Sequence, residues 1–333
     1  MVTLDSDLPS WETVRASHTF QTLITGNGMS INIWPRFGYS SLYDKAGLSA
    51  DDRAVFTACG STNFEEVLAR LAETRQILRA THRRTRWVKR LYGDIRTGLF
   101  QAVRDSHVPR AQLPDATLLA VAAHLDCYTK VFTLNYDMLM YWSHMYALGS
   151  GSAIDMADFM WGAAQFDPLD TELFAGRTGV YYLHGGLHLW RDRSTGIVGK
   201  WTHDGQSILR RIEDEYTVSS GRQPLFISEG TSQSKMRAIR GSDYLSFAHQ
   251  ELADDESNTV VFGTLLGEFD AHIADALKSG QRRVLAFSIH RGGAGSAAIV
   301  ALKADLTSRF RGHNVVFFDS ATHPLGDATF RVP

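Results

Sequence analysis

The stretch FQTLITGNGMS, at residues 20–30, decides the fold class of this 333-residue chain. Residues 22–25 are apolar or β-branched, which is typical of a short buried strand. Gly26 and Gly28 follow directly. Because glycine has no Cβ, the backbone there can turn sharply and approach another group closely. The stretch predicts a strand, a glycine turn and then a helix. Such turns also occur where no ligand binds, so the turn alone does not define a site.

Three later segments also place small or polar residues at the end of an apolar run. They are TLNYD at residues 133–137, YLHGG at residues 182–186 and VVFGT at residues 260–264. An open α/β sheet binds its ligand just beyond the carboxyl ends of its strands. Together the four segments predict a binding site at one edge of such a sheet.

The C-terminal third alternates between apolar strands and helices. Strands are predicted at residues 259–262, 283–289 and 314–318, and helices at residues 268–277 and 294–310. Continuously apolar strands in this alternation indicate a parallel sheet that is covered on both faces. The predicted fold class is therefore α/β, with a Rossmann-like, mainly parallel sheet and helices on both faces.

The middle of the chain is predicted to contain a helical insertion and further strands. Apolar residues recur at helical spacing from about residue 63 to 104, long before the second strand at residues 130–134. A direct crossover between parallel strands is much shorter, so residues 60–128 are predicted to be an insertion within a single domain, 1–333. Later strands are predicted at 180–183 and 224–228, with an edge strand or hairpin at 187–190.

The bulk composition is that of an ordinary globular protein, with 44% hydrophobic and 21% charged residues. A net charge of −2 gives no general attraction to nucleic acid or to anionic membranes. No apolar run approaches the roughly 20 residues that span a bilayer, and the N-terminus is polar, so we expect a cytoplasmic protein without membrane contact. Two cysteines, Cys59 and Cys127, are too few for a disulfide framework or a sulfur-rich zinc site, so we expect no metal.

Asn135 and Asp137 stand two residues apart at a strand end, which places both on the same side of an extended chain. There they can hold a hydroxyl group or a water molecule by hydrogen bonds. Asn and Asp are also common helix caps, and a helix is predicted from Met138. We favour the functional role, and capping by Asp137 is compatible with it.

His184 is the candidate general base, because a histidine pKa of about 6.5 allows proton acceptance at neutral pH. It follows a predicted strand and precedes two glycines. The alternative is a core histidine that hydrogen-bonds to a backbone carbonyl, and His188 fits that description better.

Residues 263–270 follow the strand predicted at residues 259–262 and lead into a helix. Gly263 and Thr264 are candidates for phosphate contact, because a helix start is positively polarised. Asp270 can accept hydrogen bonds from ribose hydroxyls, or it can cap the helix, and the sequence leaves both roles open.

In their order, these motifs resemble those of the sirtuin family, and more closely its zinc-less bacterial relatives, the sirtuin-like NAD hydrolases of antiphage defence. The family's Gly-Ala-Gly-x-Ser turn is similar to residues 26–30, and its Thr-Gln-Asn-x-Asp motif to residues 133–137. Its His-Gly pair resembles His184-Gly185, and its Gly-Thr-Ser-Leu segment resembles residues 263–266. Its Phe-Gly-Glu segment is matched loosely by residues 226–230.

The resemblance implies an enzyme that hydrolyses NAD to ADP-ribose and nicotinamide, with NAD as the substrate and no further cofactor. It implies that Asn135, Asp137 and His184 act in catalysis. The predicted NAD contacts lie in the two glycine loops and the helix starts after them: Gly26, Asn27, Gly28, Ser30, Gly263, Thr264 and Asp270.

Two departures from the family pattern narrow the implied activity. Sirtuin deacylases carry paired cysteines of a zinc module after the His-Gly pair, whereas residues 186–223 contain no cysteine. This disfavours lysine deacylation and ADP-ribosyl transfer. The family's Asp-Phe-Arg segment appears only as Pro35-Arg36-Phe37, so we assign Arg36 no role.

The biological role implied by the resemblance is depletion of cellular NAD during phage infection. Such an activity must be restrained, so we expect a homo-oligomer and an activating partner protein from a defence system. The basic cluster at residues 82–90 is the predicted partner surface, preferred over the aromatic stretch 136–161 and over direct nucleic-acid contact. The alternative function is a non-enzymatic NAD or ADP-ribose sensor that controls the assembly of a partner.

Overall fold

The computed structural model describes residues 5–37, 42–174, 176–202, 209–210, 215, 221–227 and 231–333. Within these residues a parallel sheet flanked by helices adjoins a smaller antiparallel sheet. The strands are β1 (Thr22–Thr25), β2 (Lys130–Thr133), β3 (Met156–Ala157), β4 (Met160–Trp161), β5 (Gln165–Phe166), β6 (Thr178–Tyr182), β7 (Gly185–Asp192), β8 (Val198–Lys200), β9 (Arg222–Phe226), β10 (Thr259–Phe262), β11 (Val284–Ile289) and β12 (Asn314–Asp319).

The α-helices are α1 (Trp11–Ser17), α2 (Asn27–Ile33), α3 (Leu42–Lys45), α4 (Ala50–Cys59), α5 (Phe64–Ala80), α6 (Arg86–Ser106), α7 (Asp115–Leu125), α8 (Leu139–Gly149), α9 (Ser232–Arg240), α10 (Asp243–Ala253), α11 (Ala271–Lys278) and α12 (Ser296–Arg309). Short 3-10 helices cover Pro35–Phe37, Arg110–Gln112, Glu268–Asp270, Ser320–Thr322, Pro324–Gly326 and Ala328–Phe330.

The main sheet is parallel throughout the described residues, in the order β12-β11-β10-β1-β2-β6-β3. β1 lies at the centre of the sheet. On one side of it lie β2, β6 and β3, in that order outward, and on the other side lie β10, β11 and β12. The predicted α/β fold class with a Rossmann-like sheet is confirmed. The order of strands reverses between β1 and β10, and open α/β sheets bind ligands at such a switch point.

Burial explains why the central strands have no alternating polar pattern. Every residue of β1, β6 and β10 is buried, as expected where helices cover both faces of a sheet. Phe132 on β2 and Tyr181 on β6 are register partners, and their rings stack with centroids 4.7 Å apart. Apolar side chains on both faces of these strands form the core.

The second sheet has the order β4-β5-β8-β7-β9 and corrects two strand predictions. Residues 187–190 lie within β7, which pairs with β8 and with β9, so the edge-strand alternative is wrong. The antiparallel pairing of β7 with β8, the next strand along the chain, agrees with the hairpin alternative. The strand predicted at 224–228 is β9, which pairs antiparallel with β7 and does not join the main sheet. β7 begins at Gly185, where φ is +72° and a Cβ would lie 2.1 Å from the Leu225 carbonyl oxygen. Glycine is required there.

Helices fill the chain between β1 and β2. The helical pattern predicted from residue 63 to 104 forms two helices, α5 and α6, which pack against each other. The turn between them contains His82 with φ +53°. α5, α6 and α7 fall within residues 60–128, and the insertion boundaries there stay a prediction.

At the switch point, the loop after β1 touches the loop after β10 through backbone atoms. The Gly28 N–H donates to the Gly263 carbonyl at 2.8 Å, and the Gly26 N–H donates to the Phe262 carbonyl at 2.9 Å. A Cβ on Gly28 would lie 2.6 Å from the Gly263 Cα. Gly263 itself has φ +72°, which favours glycine. The two loops are therefore held together by contacts that a side chain would block.

We expect Gly28→Ala to destabilise the protein, because the new methyl group meets backbone that cannot rotate away. Overpacking of this kind costs about 1–3 kcal/mol, although alanine's higher helix propensity offsets up to about 1 kcal/mol. The measurement is the free energy of unfolding in urea. Gly267→Ala is the matched control, because a Cβ at Gly267 meets nothing within 4 Å. Equal stability of Gly28→Ala and the control would show that the loops do not need this close approach.

Candidate functional site

The predicted site residues follow the carboxyl ends of four neighbouring strands. In the sheet register Thr25 pairs with Phe262 on one side and with Thr133 on the other, and Thr133 pairs with Tyr182. The segments beyond these four positions begin with Gly26, Gly263, Leu134 and Leu183, so Asn135 and His184 lie at the same edge as the glycine loops. We call this edge the strand-end site.

Asn135, Ser30 and Asp137 form one buried hydrogen-bond network. The Asn135 amide donates to the Gly26 carbonyl at 3.1 Å and to the Ser30 Oγ at 2.8 Å. The Ser30 hydroxyl donates to the Asp137 Oδ2 at 2.5 Å. Both amide hydrogens of Asn135 are thus used inside the protein, which leaves its Oδ1 as the atom suited to accept a hydrogen bond from a ligand hydroxyl.

Asp137 also has the structural role that the sequence left open. Its Oδ1 accepts the Leu139 N–H at 2.8 Å, at the first residue of α8. The neighbouring Met138 N–H donates to Nε2 of His107 at 2.9 Å, and Nδ1 of His107 faces the Val108 carbonyl at 2.8 Å. Burial lowers the pKa of His107, while the charge of Asp137 opposes this shift. Sequence reasoning missed His107, because it lies 31 residues before Met138 along the chain, with α7 and β2 between them.

His184 faces a second histidine. Its Nε2 lies 3.0 Å from Nε2 of His272, near the start of α11, and the two rings stack with centroids 5.2 Å apart. Nδ1 of His272 lies 3.1 Å from the Ser232 hydroxyl, which also accepts the His272 backbone N–H at 2.8 Å. His184 and His272 are buried, whereas Ser232, the first residue of α9, is half-buried.

A buried ion pair lies beside the two histidines. The Lys235 ammonium donates to the Asp270 Oδ1 at 2.8 Å, and the same oxygen lies 4.0 Å from Nε2 of His184. Burial is the largest cause that lowers the pKa of both histidines, and the positive charge of Lys235 is the second. The pKa of His184 falls well below its usual range, and that of His272 falls to about 4. Both shifts favour the neutral form of the rings.

The side chain of Asp270 makes no cap hydrogen bond to α11, so the capping alternative is wrong for this residue. Its carboxylate instead neutralises Lys235. Contact between Asp270 and a ribose stays a prediction. Lys235, His272 and Ser232 were not predicted, because nothing local in the sequence distinguishes them from other helical residues.

The other predicted NAD contacts shape the loops of the site. The Asn27 amide donates to the Phe37 carbonyl at 3.1 Å, and the Thr264 Oγ1 accepts the Leu266 N–H at 3.1 Å. Leu266 is buried with φ +48°, an unusual conformation for a non-glycine residue. The Arg309 guanidinium donates to the carbonyls of Leu266 and Leu265 at 2.6 and 2.8 Å, which holds this loop in place. Contact of these residues with NAD stays a prediction.

His188 does not hydrogen-bond to a carbonyl, contrary to expectation. Neither of its ring nitrogens has a hydrogen-bond partner among the described residues. The ring packs between Tyr141 and Tyr182, with centroids 4.4 and 4.6 Å away, and burial lowers its pKa to about 3. The loosely matched positions 228–230 lie outside the described residues.

Two further observations cover the part of the chain that the structure describes. No three His, Cys, Asp or Glu side chains there are grouped so that they could hold a metal ion. No helix in the same residues is long and apolar enough to cross a membrane.

Fold and site together define an α/β protein with a Rossmann-like sheet and a polar strand-end site at its switch point. The chain belongs to the family described as "Domain of unknown function (DUF4917)", whose model matches residues 23–325. No curated protein matches it. Among solved structures, one titled "Structural Basis for the Mechanism and Regulation of Sir2 Enzymes" is similar over 95% of this chain and 92% of that chain, with 12% identity and a TM-score of 0.38.

Proposed function

We propose that this protein hydrolyses NAD to ADP-ribose and nicotinamide. The observation that carries the proposal is that Asn135 and His184 lie just beyond the ends of two neighbouring strands, at the same edge of the sheet as the two glycine loops of the switch point. The order of these residues along the chain is the order of the sirtuin-like motifs. A dinucleotide lying across the carboxyl edge would then place its nicotinamide ribose near the polar side chains.

The site contains the groups that cleavage of an N-glycosidic bond needs. The Oδ1 of Asn135 suits a ribose hydroxyl or the attacking water, because its two amide hydrogens already bind Gly26 and Ser30. Asp137 fixes the Ser30 hydroxyl and thereby the Asn135 amide. Burial favours the neutral form of His184, and a neutral imidazole is the form that takes up a proton, directly or through a hydrogen-bonded neighbour.

The competing function is a non-enzymatic sensor of NAD or ADP-ribose. The closed network of Ser30, Asn135 and Asp137 favours it, because these polar groups already satisfy one another inside the protein. A sensor would bind NAD and release it unchanged, so product analysis separates the two functions.

We expect His184→Ala to lower the rate of NAD cleavage by about 10²–10⁴-fold, the usual contribution of a general base. The measurement is nicotinamide release, followed by chromatography after incubation of the purified protein with NAD. His18→Ala is the matched control, because His18 precedes β1 at the opposite edge of the main sheet. Cleavage by His184→Ala at the rate of the unaltered protein would contradict the assigned base.

Asn135→Ala should also abolish turnover. It removes one hydrogen bond to the Gly26 carbonyl, which still accepts the Met29 N–H, and one to the Ser30 hydroxyl, which still donates to Asp137. Each lost bond should cost about 0.5–1.5 kcal/mol of stability. Circular dichroism must therefore confirm that this variant is folded before its rate is compared.

We further propose that the enzyme acts in the cytoplasm as a homo-oligomer, restrained until a defence-system partner activates it, and that its role is depletion of NAD during phage infection. Two exposed surfaces support contact between copies. The first, the basic tip, consists of the turn between α5 and α6 and the first residues of α6, where Trp87 is 54% exposed. Its exposed cations are Arg83, Arg84, Arg86 and Lys89. Arg90 is less suitable than predicted, because it lies 3.9 Å from both Asp51 and Asp94.

The second surface, the acidic loop, follows β5. Leu169 is 94% exposed and Phe174 is 80% exposed, although the Arg177 guanidinium lies 5.9 Å from the centroid of the Phe174 ring. The carboxylates on this loop are also exposed: Asp167, Asp170 and Glu172. Each surface thus pairs exposed apolar side chains with charges of one sign, and the signs are opposite, so the basic tip of one copy is complementary to the acidic loop of the next.

Charge reversal tests this contact. Arg83→Glu, Arg84→Glu and Arg86→Glu in one chain, and Asp167→Lys, Asp170→Lys and Glu172→Lys in another, should each leave a monomer, as measured by sedimentation velocity. A mixture of the two chains should assemble again, because the reversed tip then meets the reversed loop. Assembly by either variant alone, or a mixture that stays monomeric, would refute the pairing of these surfaces.

A further inference from the structure

We propose that the proton acceptor of the site is the pair His184–His272, and that protons reach this pair through the Ser232 hydroxyl. The proposal rests on the proposed function, which supplies the proton to be accepted. It names two residues, His272 and Ser232, that neither the motifs nor the family match assigns.

The geometry shows why His184 does not act alone. It is only 3% exposed, and its Nε2 already lies 3.0 Å from Nε2 of His272. Its ring also has a hydrogen bond to the Leu134 backbone. A substrate hydroxyl therefore finds no free nitrogen on His184 unless His272 moves away.

The hydrogen bonds fix the tautomers of both neutral rings. The Leu134 backbone bond raises the pKa of His184, as a carbonyl that accepts a proton from the ring does, so with Nε2 facing His272 we assign the proton of His184 to Nδ1. The lone pair on Nε2 of His184 then accepts the Nε2–H of His272. This leaves the lone pair of His272 on Nδ1, where the Ser232 hydroxyl donates to it at 3.1 Å. The chain of bonds runs from half-buried Ser232 to buried His184.

This chain can take up one proton without moving a side chain. A water molecule breaks its O–H bond and passes the proton to the Ser232 Oγ, while the original Ser232 proton moves to Nδ1 of His272. The oxygen keeps the electron pair of that bond and attacks C1′ of the ribose, and the C1′–N bond breaks as nicotinamide leaves with its electron pair. The positive charge resides on the His272–His184 pair, whose Nε2–H hydrogen bond shares it.

The surrounding charges set the proton affinity of the pair. Lys235 on α9 and His249 on α10 disfavour a positive charge on His272, whereas Asp270 and Asp275 favour it. The Asp270 carboxylate offsets much of the positive charge of Lys235, because the two groups form an ion pair. The pair therefore stays unprotonated at pH 7 yet keeps a carboxylate within 4.0 Å of Nε2 of His184.

Kinetics of NAD cleavage test the relay. Ser232→Ala should lower kcat by about 10- to 100-fold with little change in KM. His272→Phe should lower kcat at least as much as His184→Ala, because the proton reaches His184 only through His272. Ser232→Thr keeps a hydroxyl and should restore most of the rate. Ser234→Ala is the matched control, because Ser234 bonds only to Thr231 in the first turn of the same helix.

Rates of NAD cleavage in mixtures of H₂O and D₂O test whether protons move through the relay. A residue with only a structural role would not change how the rate depends on deuterium content. The unaltered protein should show a curved dependence on deuterium content, because more than one proton moves, and Ser232→Ala should show a straight line. Cleavage by His272→Phe at the unaltered kcat, together with a straight line for the unaltered protein, would overturn the relay and leave the proposed function standing.

Nuclear magnetic resonance of the imidazole nitrogens reads the pair without NAD, so it separates failure of the relay from failure of the proposed function. Both rings should be neutral at pH 7, with the His184 proton on Nδ1. Lys235→Met should shift their titration to higher pH, because it removes a positive charge and leaves Asp270 nearby. Two rings that titrate independently, with no effect of Ser232→Ala on the His272 tautomer, would also overturn the relay.

Discussion

The hydrogen bond from the Gly28 N–H to the Gly263 carbonyl is the contact on which the strand-end site depends. It joins the loops after β1 and β10, and it fixes where α2 begins. Because α2 begins there, Ser30 is buried within reach of the loop after β2, where it binds Asn135 and Asp137. Three neighbouring strands thus share one framework of backbone and side-chain hydrogen bonds. A side chain larger than hydrogen at residue 28 would separate the two loops.

The other half of the site is electrostatic and comes from helices. A buried ammonium beside two histidines is costly unless a carboxylate pairs with it, and Asp270 supplies that carboxylate at 2.8 Å from Lys235. The result is a pair of buried rings whose neutral form is favoured. The Asp270 carboxylate lies 4.0 Å from Nε2 of His184, where it would stabilise a positive charge on the pair.

Much of the fold was predictable, because the central strands are buried on both faces and therefore continuously apolar. The same edge-of-sheet logic predicted that Asn135, His184 and the glycine loops lie close together. The second sheet was not predicted, because β4 and β5 contain two residues each and β9 includes Pro224, so no period-2 pattern can develop. His272, Ser232 and Lys235 were missed for another reason. They reach His184 only through the packing of α9 and α11, which no local pattern records.

The measurement that tests the central claim most directly is NAD cleavage by the purified protein in H₂¹⁸O, with the masses and amounts of the products determined by mass spectrometry. Hydrolysis at C1′ predicts equal amounts of nicotinamide and ADP-ribose, with one heavy oxygen in each molecule of ADP-ribose. Recovery of all NAD unchanged, with NAD still bound to the protein, would contradict the account and favour a sensor.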